Sequence, residues 1–429
     1  MREAGDASPH RPRVLFISYD GMLEPLGQSQ ALPYLRGLAS RGASIIVMSF
    51  EKRADWERRE RVQSLQADLS ARGIRWVPLR YHKRPVLLAT SFDVLTGLFC
   101  AWRIVARDRV DIVHARSYVA ATIGWLLKRW LGVRFLFATI GFWIDERVDA
   151  GFWSTTNPWY RVAKRLEQRF FEDADDIVTL TERARRIVQE WPGLRHPSVT
   201  AIPTCVDLAR FSRASEPAAP GNAPVFIYTG SVGTYYLFEG VVEFFEQARR
   251  RFPQARLIIL TRQTEAVRAI LERMPLAPDA VTLTSADYAE IPGYLAKAHV
   301  GLAFYKPGFS RQGTSPTKVW EYLAMSLPVV VNQGVGDVEE IVGVQQAGLV
   351  LSEYSPAAYA QALETLERLW ADPDLPGRCR RLAETHFSLE RGIERYWTMY
   401  RRLCGQPAVL EDTRGNSRVP AVALEPVSP

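Results

Sequence analysis

The sequence predicts an α/β fold of two Rossmann-like domains facing a cleft, and three observations lead there. The 429 residues exceed one ordinary core, since a domain takes roughly 100–200 residues. Short apolar, β-branched runs alternate with helix-length amphipathic segments along most of the chain. Near the middle, IPTCVDLARFSRASEPAAPGNAP (202–224) shifts to Ala, Pro, Ser and Gly, the composition of a linker.

After a polar leader (1–12), RVLFISYD (13–20) is a compact apolar strand. A glycine-containing loop follows, then a helical pattern ended by Gly42 and a second strand, ASIIVMSF (43–50). A right-handed crossover makes these two strands parallel. Strands at IRWVPL (74–79), VDIVHA (110–115), RFLFAT (134–139) and DDIVTL (175–180) complete a first domain, 13–201. Beyond the linker, 202–222, a second set reads APVFIYTG (223–230), ARLIILT (255–261), AVTLTS (280–285), HVGLAFY (299–305) and LPVVVN (327–332), within a second domain, 223–385. Segments 356–370 and 375–403 read as helices, with 386–404 expected to cross back over the first domain. The tail, 405–429, has no periodic pattern, so disorder is expected there.

With 47% hydrophobic and 24% charged residues, disorder is excluded for the rest. A net charge of +7 and a pI of 9.2 admit an anionic partner. No basic helix or sheet of stacking aromatics points to nucleic acid, so none is expected. Cys100, Cys205, Cys379 and Cys404 lie far apart, with neither metal-ligand spacing nor a disulfide framework, which suits a reducing compartment. MREAGDASPHRPR lacks the apolar core of a secretory signal, and a cytoplasmic protein is expected. The most apolar stretch, 85–105, is interrupted by Asp93 and Arg103 and reads as a buried or surface-lying helix. With the basic segment 80–84 and GWLLKRWLG (124–132) it forms a candidate patch toward an anionic membrane at the inner face of the cell. Core helices of the first domain are the competing reading.

Chemistry concentrates at SPTKVWEYLAMSLPVVV (315–331). Ser315 suits an N-cap and Pro316 a first helical position, so the helix is expected to open near Pro316 and Thr317. Its free N–H groups and positive dipole end then face the loop leaving HVGLAFY, a place where ligands bind in open α/β sheets. Lys318, in the first turn, opposes the helix dipole unless an anion is present. Glu321 lies one turn on, placed to accept from vicinal hydroxyls such as those of a ribose. A Lys–Glu surface pair at i, i+3 is the alternative.

This segment resembles the donor-nucleotide segment of GT-B glycosyltransferases of family 4, whose motif has two Glu separated by seven residues and then a helix leading to a Pro-Val-Val strand. Glu321 matches the second Glu, associated in the family with the ribose, and Gly313 stands where the first would be. Other segments follow in the family's order. SYDGMLEPLGQSQALPYLRGLASRG resembles its N-terminal glycine loop, VDIVHARS its middle strand, IPTCVDLARF its interdomain pattern and YTGSVGTYYLFEGVVEFF the first strand and loop of its C-terminal domain. GFWIDERVDAGFW and the helix after it resemble a branch found in surface-polysaccharide clusters. The resemblance implies transfer of a sugar, with retention and without a metal, from a UDP- or GDP-linked donor to a glycan or lipid-linked acceptor. It implies no cofactor, the nucleotide-sugar being a substrate. A GT-B sugar-nucleotide epimerase and a non-catalytic binding partner are the alternatives.

The diphosphate needs cations where charge develops, and Lys318 and Arg262 are the leading candidates, with Asp145 as a third catalytic candidate. Lys306 and Arg311, in KPGFSRQGTS, are candidates to replace charges that many relatives carry in the loop after the first C-domain strand. In that loop Ser231 takes the place of an Arg, and Glu239 precedes Gly240 where relatives have a Lys. Gly230, Ser231, Gly233 and Thr234 in the loop, and Ser315, Pro316 and Thr317 at the helix start, complete the donor site. On the acceptor or sugar side stand Gly27, Gln28 and Ser29, then His114, and then Asp145, Glu146 and Arg147 beside two aromatics. Ile140 takes the place of a His found in many relatives. DAD (173–175) invites a metal reading, but the polar start of a strand explains it, and no metal is expected.

Overall fold

The computed structural model describes residues 11–406, apart from 83, 195–197, 214 and 216–218. The leader up to residue 10 and the tail from 407 lie outside the described residues.

Seven strands form the first sheet: β1 (Arg13–Ser18), β2 (Ser44–Glu51), β3 (Arg75–Arg80), β4 (Ile112–Arg116), β5 (Arg134–Ala138), β6 (Asp176–Thr179) and β7 (Val199–Ala201). Their order is β3-β2-β1-β4-β5-β6-β7, and every pairing is parallel. Val14 of β1 sits between Ile45 of β2 and Ile112 of β4. Helices cover both faces, which is why the strands read as unbroken apolar runs. On one face lie Val86–Asp108, Tyr118–Leu131 and Pro158–Asp173, and on the other Leu32–Ser40 and Arg59–Ala71.

The second sheet contains β8 (Val225–Thr229), β9 (Arg256–Leu260), β10 (Val281–Thr284), β11 (Val300–Ala303), β12 (Val329–Asn332) and β13 (Gly348–Leu351). It is also wholly parallel, in the order β10-β9-β8-β11-β12-β13. In both sheets the direction of winding reverses beside the first strand, between β1 and β4 and between β8 and β11. Ligands bind outside the carboxyl ends of strands at such switch points, and the two points border one cleft.

Two short strands, β7 and β13, were not expected from the sequence. The single helix expected over 375–403 is two, Leu375–His386 and Leu389–Leu403. The break serves the linker: Val206 donates to the Phe387 carbonyl at 2.7 Å and accepts from the Leu389 N–H at 3.1 Å. Past this point the chain returns to the first domain. Tyr396 packs edge-on against Tyr34, 5.5 Å between ring centres, and the Tyr400 hydroxyl meets His114 Nδ1 at 2.7 Å.

Candidate active site

The helix Thr317–Ala324 forms one wall of the cleft. It opens at Thr317, beside the expected start, but Ser315 is not its cap. Pro316 takes the cap position, its carbonyl accepting from the Val319 N–H at 2.8 Å. Ser315 Oγ instead accepts from Trp320 Nε1 at 2.8 Å and from the Thr204 N–H at 3.1 Å. That hydroxyl therefore ties the helix to the interdomain linker. On the other side, the Tyr322 hydroxyl accepts from the Thr229 N–H at 2.9 Å, fixing the helix against β8. The N–H groups of Thr317 and Lys318 are left without intrahelical partners, as at any helix start.

Lys318 is buried, and its Nζ finds no hydrogen-bond partner among the described residues. The ammonium lies 4.3 Å from the ring centre of Tyr228, 4.1 Å from that of Tyr236 and 5.9 Å from that of Tyr305. Ring faces attract a cation but do not hydrogen-bond it as an oxygen would. Burial pushes its pKa down to about 7, with only the charge of Glu321 pulling the other way. Gly230 makes room for it: a Cβ there would lie 3.0 Å from Nζ, and its φ of +113° suits glycine. Glu321, also buried, is raised to about 7 by loss of water, against the Tyr288 hydrogen bond and the Lys318 charge.

Across the cleft, the loop after β11 docks on the short helix Trp143–Asp149 of the first domain. Asp149 accepts from the Ser310 N–H at 2.8 Å and its hydroxyl at 2.6 Å. Arg311 is buried, with its guanidinium carbon 4.7 Å from the Tyr235 ring centre and an amino group 3.6 Å from the Glu146 carboxylate. Gly313 packs so tightly here that a Cβ would lie 3.0 Å from the Phe142 ring and 3.1 Å from Gly141 Cα. Any side chain at this position, where the motif has its first Glu, would require Phe142 and Gly141 to give by a few tenths of an ångström. Gln30 reaches over from the first domain to donate to Thr317 Oγ1 at 3.1 Å, and is held by Arg116 at 3.0 Å. Arg116 also pairs with Asp20 at 2.6 Å.

The cleft holds about 370 Å³, within the range of small-molecule sites. From the second domain it brings together Gly230, Ser231, Arg311, Ser315, Pro316, Thr317, Lys318 and Glu321, and from the first Ser29 and Glu146. Other expected residues lie elsewhere. Gly27 is buried behind the wall, and Gln28 donates to the Met22 carbonyl at 2.7 Å, bracing the loop. Gly233 and Thr234 form the turn of their loop and do not line the cleft.

Five titratable or charged candidates lie away from the cleft. Asp145 turns away from the cleft into the domain, accepting from Lys164 at 2.9 Å and the Tyr160 hydroxyl at 3.2 Å, because neighbours on a helix point about 100° apart. Arg147 lies over Trp143, 4.7 Å from its ring centre. His114 is enclosed under the C-terminal helix, where burial lowers its pKa to about 3. Arg262 is exposed and pairs with Asp287 at 3.4 Å, while Lys306 is exposed beyond the cleft. The tyrosine ring around Lys318 and the Arg116–Gln30 pair were missed. Arg116 had a signal, two residues after His114 on the same face of one strand.

The Glycosyltransferase Family 4 model matches residues 31–210, and the Glycosyl transferases group 1 model matches 223–368. A glycosyltransferase from Rickettsia africae superposes with a TM-score of 0.71 at 14% identity, covering 93% of this chain and 100% of its own. Sucrose-phosphate synthase from Thermosynechococcus elongatus gives 0.70 at 16% identity, over 92% and 100%. HepE of Anabaena, solved with UDP and glucose, gives 0.66 at 15%, over 90% and 98%. No curated protein matches the sequence itself. The two wound sheets and the cleft between them define the GT-B class of glycosyltransferases. Within it, this chain is a family 4-like glycosyltransferase.

Proposed function

We propose that the chain moves a sugar from a UDP- or GDP-linked donor to a glycan or lipid-linked acceptor, with retention, in surface or extracellular polysaccharide biosynthesis on the cytoplasmic side of the membrane. The Lys318 ammonium carries this reading: it is buried at the cleft with no acceptor among the described residues. An unpaired buried cation is costly, and a diphosphate supplies what the fold lacks.

Lys318 and the N–H groups of the helix start hold the diphosphate, Arg311 faces the charge that builds on leaving, and Glu321 with Tyr288 takes the ribose hydroxyls. Ser29, Gln30 and Glu146 border the space left for the sugar. The acceptor oxygen bonds to the anomeric carbon on the face the diphosphate leaves. The carbon–oxygen bond to phosphate breaks, and the acceptor proton passes to a phosphate oxygen. No cofactor enters this scheme, since the nucleotide-sugar is itself consumed. The UDP bound by HepE supports a uridine donor as the first trial.

The test is a thermal-shift series with UDP-, GDP-, ADP- and dTDP-sugars on the wild type, Lys318→Ala and Glu321→Ala. A ligand at ~100 times its Kd stabilises by ~2.7 kcal/mol. One nucleotide class is expected to shift the wild type and neither variant. A folded wild type that responds to none overturns the reading.

A further inference from the structure

We propose that the outer face of the Val86–Asp108, Tyr118–Leu131 and Pro158–Asp173 helices docks on an anionic lipid bilayer. Leu88, Phe92, Leu95, Phe99 and Trp102 recur at alternating spacings of four and three along the first helix, and each is between 44 and 71% exposed. That spacing keeps all five on one stripe. Trp130, at the end of the neighbouring helix, joins Leu95, Leu98, Phe99 and Trp102 around one shallow hollow. On the third helix Trp159 and Val162 are exposed as well. Contiguous apolar surface of this extent marks an interaction face.

The first helix is long and apolar enough to cross a membrane, but its inner side belongs to the domain. Buried Asp93 accepts from the Tyr19 hydroxyl at 2.9 Å and from the His82 N–H at 3.0 Å, and Gly97 packs on Phe50 and Ile123. Extraction into lipid would strand that carboxylate, so the helix lies on the bilayer. Charge selects the occupant. The exposed charges on the three helices are Arg103, Arg107, Arg129, Arg161, Arg165 and Arg169, with one exposed carboxylate, Glu172, paired to Arg169 at 3.1 Å. A second copy of this face would set arginines against arginines, whereas anionic headgroups neutralise them.

The three helices begin beyond the carboxyl ends of β3, β4 and β5, the end of the sheet that borders the cleft. An acceptor anchored in the bilayer would thus present its head at the cleft rim. This rests on the proposed transfer only for the class of acceptor, and lipid alone tests it.

The full chain is floated with vesicles of phosphatidylcholine alone and of phosphatidylcholine with phosphatidylglycerol, beside the variants Leu95→Glu/Phe99→Glu and Arg161→Glu/Arg165→Glu. The wild type is expected to float with the anionic vesicles at about 0.1 M salt and to be released as salt screens the charge. Each variant should lower the bound fraction about tenfold while keeping the wild-type melting temperature. A wild type that stays unbound, or variants that bind equally well, overturns the proposal. So does a wild type that sediments as a dimer which the apolar variant splits. A lost donor-induced shift would count against the transfer reading and leave this one standing.

Discussion

Two buried clusters in this molecule contain the same chemistry, a lysine with carboxylates and tyrosines, and differ in whether the lysine is satisfied. In the first domain Lys164 lies 2.9 Å from Asp145 and pairs with Glu167, while the Tyr118 hydroxyl donates to Glu167 at 2.7 Å. Burial works to lower the pKa of Lys164, but Glu167 and Asp145 together outweigh it and hold the group above its ordinary value. In the second domain Lys318 makes no ion pair among the described residues and faces rings, so burial prevails. Residue types alone do not separate a structural cluster from a binding one. The lysine's partners do: Lys164 has its two carboxylates, whereas Lys318 has no hydrogen-bond partner among the described residues and is what an anionic ligand would complete.

The strongest way to break this contrast is to remove each lysine. Lys318→Met should abolish the donor-induced thermal shift and lower kcat/KM by about 10²–10³, with the donor-free protein as stable as the wild type or more so. Lys164→Met should cost ~3–5 kcal/mol of unfolding free energy, since it leaves two buried carboxylates unpaired, and should keep the donor shift. Denaturant titration and donor calorimetry on the two variants would show whether the effects are exchanged, which would invert the contrast.

A finer test uses pH. Lys318 titrates near 7 when folded, so between about 7 and the ordinary lysine value the unfolded chain binds more protons. Stability from this group therefore rises with pH across that window. Glu321, raised to about 7, keeps a proton that the unfolded chain has already released. Its contribution is full below the ordinary glutamate value and falls as pH climbs from there to about 7. Together they predict a dip in donor-free melting temperature near pH 7. Lys318→Met should remove the alkaline rise and Glu321→Gln the acidic one. The smallest effect belongs to Arg262→Ala, whose exposed pair is worth ~1 kcal/mol or less. Donor affinity should change by less than about twofold, and a larger loss would bring Arg262 back into the site.

The sheets were legible because parallel strands covered on both faces are apolar throughout, as RVLFIS and LIIL show. β7 and β13 escaped because VTA and GLVL are too short to stand out from loop. The break at Phe387 and Ser388 was hidden in an otherwise helical run, since its cause, Val206, lies far away in the chain. Lys318 and Glu321, singled out by spacing and resemblance, do line the cleft. Asp145 and Glu146 were not separable, being neighbours on a seven-residue helix too short to show a clear period. The tyrosine ring was beyond sequence reasoning, because β8, the loop after it and the strand end at Tyr305 meet only through the sheet order.

The chain passes between the domains twice, once along the linker and once at Phe387–Leu389, and the two crossings are laced together at Val206. A single tether would let the halves swivel in any direction. Two tethers bonded side by side leave one easy axis, like a door on a pinned hinge. Opening of the cleft is therefore expected to follow one repeatable arc, returning Gln30 to Thr317 and Glu146 to Arg311 each time it shuts.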